Sequence, residues 1–115
     1  MISNSHDETL KGLNIKYNKN VQFIPENIAD KFPNLVGLQV WNCSVKWIER
    51  RHFKNLRELK TLGLAYNEIE IVDSEAFKDQ EKLEKLSLYD NRIEYLSPKT
   101  FTHLPNLIEL YLHSN

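Results

Sequence analysis

A leucine returns every 24 residues in this chain, at Leu35, Leu59, Leu83 and Leu107, and that interval leaves few architectures open. The residues after each leucine keep step. Leu59, Leu62, Leu64, Asn67, Ile69, Val72 and Phe77 are matched one period later by Leu83, Leu86, Leu88, Asn91, Ile93, Leu96 and Phe101. One period earlier they are matched by Leu35, Leu38, Val40, Cys43, Val45, Ile48 and Phe53. A 25-residue copy with one insertion after Asn18 precedes these, carrying Leu10, Leu13, Ile15, Asn18, Val21, Ile24 and Ile28. The opening of a fifth copy follows: Leu107, Leu110, Leu112 and Asn115. The sequence therefore divides into a polar tail, 1–9, and repeats at 10–34, 35–58, 59–82 and 83–106, with a partial repeat at 107–115.

Within one repeat the apolar intervals run three, two, three, two, three, five, which is not the sustained three-and-four spacing of an amphipathic helix. Alternation at Leu62-Gly63-Leu64-Ala65 fits a short strand with one buried face. A single such unit cannot bury its own leucines. Stacking one on the next gives a parallel sheet, one strand per coil, over a continuous core.

The pattern LxxLxLxxNxIxxLxxxxFxxLxx resembles the leucine-rich repeat family of the 24-residue, mostly extracellular kind, over about nine tenths of the chain. Within the family it looks most like insect secreted members. The resemblance implies an α/β-type solenoid, mostly β with irregular convex loops, curved into an arc with its short strands on the concave face. It also implies a non-catalytic module that binds a protein, peptide or glycan through that face, in settings such as innate immunity or receptor assembly. Intracellular members more often have repeats of about 22 or 28 residues without the Phe position. Phe53, Phe77 and Phe101 thus favour the extracellular class over an intracellular scaffold or regulatory subunit.

Asparagine recurs where the chain leaves the strand, because an amide there can satisfy backbone groups that water cannot reach. Asn18, Asn67, Asn91 and Asn115 are expected to form a ladder, with Cys43 taking one rung as a buried structural thiol. The phenylalanines form an apolar spine on the far side, with Ile28 in the first repeat. Gln80 stands where Leu56 and Leu104 stand, so its amide should turn to solvent or backbone. A second apolar column, Phe23, Trp47, Ile71 and Tyr95, reads as a semi-buried edge of the stack.

Strand residues facing away from the core fall into columns: Gly12, Gly37, Thr61, Lys85 and Glu109; then Asn14, Gln39, Gly63, Ser87 and Tyr111. A third column holds Lys16, Trp41, Ala65, Tyr89 and His113, and a fourth, at the strand exit, Tyr17, Asn42, Tyr66, Asp90 and Ser114. Every complete repeat places one aromatic here. Aromatics on a rigid sheet offer contact area at low entropic cost. The expected binding residues are Tyr17, Gln39, Trp41, Tyr66, Lys85, Tyr89, Asp90, Tyr111 and His113, with Trp41, Tyr66 and Tyr89 on one contiguous surface.

Other chemistry finds little purchase. A net charge of -1 removes the counterion-release term that drives nucleic-acid binding, so no nucleic-acid partner is expected. No apolar run reaches the roughly 20 residues of a membrane span, and the opening MISNSHDETL has no signal-peptide core. One cysteine makes neither a disulfide framework nor a zinc site, and three glycines build no phosphate loop. His6, His52, His103 and His113 sit at unrelated repeat positions, and His6-Asp7-Glu8 reads as a polar, frayed terminus rather than a ligand group. No cofactor, metal or enzymatic activity is expected. Arg50-Arg51-His52, with Lys46, Lys54 and Arg57 nearby, reads as a solvated basic surface. Asn42-Cys43-Ser44 matches an N-glycosylation acceptor. The repeats lack the cysteine-rich caps of secreted relatives, and the sequence stops at a ladder residue; a fragment that self-associates through its open ends is the expectation.

Overall fold

The computed structural model describes residues 7–115. Its main sheet is assembled from one short strand per coil: β1 (Gly12–Lys16), β2 (Gly37–Trp41), β4 (Thr61–Gly63), β6 (Lys85–Ser87) and β7 (Glu109–Tyr111), all parallel and in chain order. Between them, β3 (Trp47–Ile48) and β5 (Ile71–Val72) pair on a second side of each coil. The solenoid expected from the repeat is the fold.

Alternation sets each strand's faces. In β2, Leu38 and Val40 have no exposed surface while Gln39 between them is exposed. The register keeps the columns aligned: Gly12, Gly37, Thr61, Lys85 and Glu109 are direct neighbours across five strands. The 24-residue period therefore becomes a straight stack, and each leucine meets the equivalent leucine of the next coil.

The far side of the coils varies more. Coil one turns through α1 (Ile28–Lys31), coil two through α2 (Arg50–Phe53), and coil four through a 3-10 turn at Pro98–Phe101. The Glu49 N–H donates to His52 Nδ1 at 3.1 Å and starts α2, and burial holds the His52 imidazole below its ordinary pKa. Phe53 and Phe77 stack with centroids 6.0 Å apart and are fully buried, and Phe101 is half-buried at the end of the spine.

Three expectations need correcting. Residues 7–9 are tied down: the Asp7 N–H donates to the Lys31 carbonyl at 2.7 Å, and Asn34 Nδ2 to the Glu8 carbonyl at 3.0 Å. His6, the remaining member of that polar cluster, lies outside the described residues. The second apolar column is semi-buried only at Trp47, because Phe23, Ile71 and Tyr95 are 56%, 65% and 73% exposed. They project from the short β3–β5 side, which no further layer covers among the described residues. The third correction concerns Asn18.

Asn67 shows what a complete rung requires. Its Nδ2 donates to the Val40 carbonyl of the coil before at 2.8 Å, and to Leu64 and Ala65 of its own. Its Oδ1 accepts the Val45 N–H at 3.3 Å. Asn91 and Asn115 repeat this geometry one and two coils on. Asn18 is exposed, and its Oδ1 accepts only the Asn20 N–H, at 3.0 Å. A rung needs a coil beneath it to supply a carbonyl. None of the described residues does so below β1.

Cys43 is fully buried and free, its Sγ 3.4 Å from the Trp41 carbonyl and 4.0 Å from that of Ile15. Gln80 is buried as well. Its Nε2 donates to the Phe53 carbonyl at 2.6 Å and to that of Leu56 at 3.3 Å, while Oε1 has no partner.

Candidate functional site

The chain leaves each main-sheet strand through one residue in the left-handed region: Tyr17, Asn42, Tyr66, Asp90 and Ser114, all with φ between 54° and 59°. That turn lets the corner N–H reach the next coil. Tyr17 donates to the Trp41 carbonyl, Asn42 to Ala65, Tyr66 to Tyr89 and Asp90 to His113, at 3.1–3.3 Å. No β-branched residue occupies the column, consistent with the steric cost of positive φ. This signal was available in the sequence and is absent from the repeat consensus.

The corner also aims side chains. It brings Tyr17 and Tyr66 beside the rings of the preceding column, so an unbroken aromatic ladder crosses the concave sheet. Tyr17 to Trp41 is 4.9 Å between centroids, Trp41 to Tyr66 is 6.1 Å, Tyr66 to Tyr89 is 5.4 Å and Tyr89 to Tyr111 is 6.4 Å. His113 stacks on Tyr89 at 4.6 Å with an 11° interplanar angle. Trp41, Tyr66 and Tyr89 share this surface.

Polar contacts fix several of these rings. Trp41 Nε1 donates to Asn14 Oδ1 at 3.1 Å, and Tyr111 donates its hydroxyl to Glu109 Oε2 at 3.1 Å. Lys85 Nζ lies 3.8 Å from Glu109 Oε2 and 5.6 Å from the Tyr111 ring centre, and Lys16 Nζ stands over both Tyr17 and Trp41. Gln39 is exposed beside Trp41, and half-buried Asp90 occupies the corner next to Tyr66.

Coil three interrupts the relief. Gly63 and Ala65 stand where its neighbours carry Gln39 and Trp41 on one side and Ser87 and Tyr89 on the other. A depression of about 260 Å3 results, lined by these residues and Lys85. A Cβ on Gly63 would lie 3.1 Å from Gln39 Cγ, so any larger residue must displace that side chain. Repeat periodicity does not reveal the pit, because it arises where one coil departs from the others.

Outside the concave face, the basic stretch of coil two is largely paired. Arg50 grips Asp79 of the next coil through Nε at 2.8 Å and Nη2 at 3.1 Å. That hydrogen bond and charge hold the Asp79 carboxyl below its ordinary pKa. Arg57 approaches the same carboxylate at 3.6 Å, and Arg51 pairs with Glu26 and Glu49. In the acceptor pattern Asn42-Cys43-Ser44, Asn42 is half-buried, Cys43 fully buried and Ser44 only 8% exposed. Among the described residues no three His, Cys, Asp or Glu side chains gather as a metal site. No helix there is long and apolar enough to cross a membrane.

A family model described as "Leucine rich repeat" matches residues 33–88 and 71–115. Among curated proteins nothing matches. The chain is similar in structure to TLR13 in its complex with ssRNA13, at 28% identity and a TM-score of 0.82, covering 90% of this chain and 14% of that one. It is also similar to a chain of the Toll–Spatzle complex, a molecular hub in Drosophila development and innate immunity. There the identity is 23% and the TM-score 0.86, over 94% of this chain and 14% of that one. The leucine-rich repeat domain of APL1B aligns with 24% identity and a TM-score of 0.76, over 93% of this chain and 30% of that one. The chain thus spans a small part of the length of each.

Proposed function

The chain belongs to the leucine-rich repeat family, and from that premise we propose that its concave sheet is a non-catalytic surface for recognising another macromolecule outside the cell, a protein first. The observation that carries this reading is the aromatic ladder, five strands wide, in which Tyr17, Tyr66 and Tyr111 are 64%, 43% and 38% accessible and Trp41 and Tyr89 between them are half-buried. Large rings exposed on a rigid sheet are the groups that dominate protein interfaces. Tyr17, Gln39, Trp41, Tyr66, Lys85, Tyr89, Asp90, Tyr111 and His113 are the proposed contacts. They recognise rather than react: most are rings and amides, and the one lysine among them stands beside Glu109.

The Toll–Spatzle complex and TLR13 with ssRNA13 offer two precedents on this fold, one protein and one RNA. A net charge of -1 and the ring-rich face favour the protein. The period of 24 with Phe53 and Phe77 in the spine supports placement outside the cell, in host defence or receptor assembly. Among the described residues β1 and β7 are the edge strands of the main sheet, and edge backbone groups are ones on which a second copy can pair. Concentration-dependent sedimentation tests that contact, and a monomer at every concentration removes it.

Affinity capture with the chain and with its Tyr66→Ala variant tests the main reading. A protein retained by the first and lost by the second is the expected result. Identical capture by both overturns it.

A further inference from the structure

We propose that the pit between Trp41 and Tyr89 holds a single neutral pyranose ring, so that the partner of the concave sheet is, or carries, a saccharide. The inference rests on the reading of that sheet as a binding surface and names the chemistry of what it takes.

The shape comes first. Coil three offers nothing larger than a methyl group at Gly63 and Ala65, while the coils on either side raise Trp41 and Tyr89. Adjacent strands lie about 4.8 Å apart, so β2 and β6 stand about 10 Å apart with β4 as the floor. The resulting volume, about 260 Å3, falls below the roughly 300–1,000 Å3 of pockets for drug-sized ligands and suits one ring.

The lining then selects among rings. Besides the Tyr89 hydroxyl and the Trp41 indole N–H, which donates to Asn14, three polar groups line the pit: the Gln39 amide, the Ser87 hydroxyl and the Lys85 ammonium. Ser87 is nine-tenths buried, and among the described residues neither its hydroxyl nor the Gln39 amide has a hydrogen-bond partner. An aromatic side chain of a protein partner would pack on Trp41 and Tyr89 but carries at most one polar atom. It would strip water from the other groups without replacing it, and each such unpaired group lowers affinity about tenfold. A pyranose presents C–H groups on its faces, suited to the electron-rich faces of the rings. Its hydroxyls, spread around the edge, both donate and accept. The match to Gln39, Ser87 and Lys85 is therefore better than a phenylalanine, tyrosine or tryptophan side chain gives.

Charge narrows the class further. Among the described residues no carboxylate lines the pit, and the one cation there, Lys85, already has Glu109 at 3.8 Å and the Tyr111 ring beside it. The site is close to neutral, which favours a neutral sugar over a sulfated or uronic one.

The chain has two tryptophans, and they supply a probe and its reference. Trp41 forms a wall of the pit, and Trp47 lies on the β3–β5 side. Chitotetraose, cellotetraose and laminaritetraose are titrated into the full chain while both indole N–H resonances are followed by NMR. At least one is expected to shift Trp41 saturably and leave Trp47 in place. Ala65→Leu, which fills the floor, should weaken that binding at least tenfold, with an unmoved Trp47 resonance reporting an intact fold. The proposal is overturned if none of the three shifts Trp41 at about 10 mM, deep in the weak range of affinity. It is overturned equally if a heparin tetrasaccharide or N-acetyltyrosinamide binds more tightly, or if Ala65→Leu binds as well as the unaltered chain. Should the sugars fail while Tyr66→Ala still loses a captured protein, the saccharide assignment falls and the binding-surface reading stands. Sugar binding alongside unchanged capture by Tyr66→Ala keeps the saccharide assignment and removes only the protein contact at Tyr66.

Discussion

Two ladders cross the coils side by side, and they follow different rules. The inner one is made of hydrogen bonds from Asn67, Asn91 and Asn115, each at one fixed position in its coil and each using a carbonyl of the coil before. The outer one is made of rings that wander between columns, Tyr17 and Tyr66 at the corner, Trp41 and Tyr89 one place earlier and Tyr111 three places earlier. Amide geometry tolerates no such wandering, because a hydrogen bond weakens steeply with misplacement. Ring contacts tolerate it well, since tilted and edge-on arrangements 4.5–7 Å apart are all favourable. The inner ladder therefore belongs to folding, and the outer one is free to belong to recognition.

The sharpest way to break this division is Asn67→Ala. It strands the Val45 N–H and withdraws a donor from the Val40 carbonyl, both in the buried interior, and should cost about 3 kcal/mol, read from denaturant unfolding. A loss under about 1 kcal/mol would show that the inner ladder is dispensable. Tyr66→Ala is the counterpart outside. Removing its two ring contacts should cost about 1 kcal/mol of stability. Partner capture should fall at least tenfold, so unfolding and capture measured on the same variant separate the two roles.

Acid gives a third comparison, because amide rungs do not titrate. The His52 imidazole is held below its ordinary pKa of 6.5 by burial, so the unfolded chain takes up its proton first. Stability should be fully present above about pH 6.5 and decline as pH falls below it. Asp79 is held below 3.8, chiefly by the Arg50 hydrogen bond, and its contribution is lost only at lower pH, as its carboxylate protonates in the fold. Melting temperatures should show the first decline in the unaltered chain and, displaced downward but parallel, in Asn67→Ala. In His52→Gln it should vanish. The smallest effect is expected at Asn18→Ala, within about 0.5 kcal/mol, because that asparagine closes an exposed turn and joins no rung. A cost matching that of Asn67→Ala would mean that residue type alone makes the ladder.

That contrast also marks what the sequence could reveal. Spacing identifies a position, and wherever coils lie on both sides of it, position decides the environment: Asn67, Asn91 and Cys43 sit where the period puts them. Asn18 has the right spacing and lacks the neighbour, which no count of residues exposes. The concave columns were legible because register follows from the period. The far side was not, since Ile28–Lys31, Arg50–Phe53 and Pro98–Phe101 each solve a local turn in a different way. The Arg50–Asp79 pair spans 29 residues rather than 24 and so leaves no periodic trace. Gln80 was legible in outline, as a polar residue at an apolar position. Its two carbonyl partners, Phe53 and Leu56, were not.

The left-handed corner limits how this face could diversify. Residues 12, 14 and 16 of the first strand and their equivalents lie in extended backbone, where almost any side chain can be exchanged, and Val, Ile or Thr would reinforce the sheet. The corner column admits few types: Asn, Asp and Gly at low cost, a tyrosine or serine at some strain, and β-branched residues hardly at all. Drift or a designed library would therefore reshape the central columns readily and leave a narrow alphabet at the rim. Members descended from one ancestor should differ most where the pit lies and least along the line of Tyr17, Asn42, Tyr66, Asp90 and Ser114.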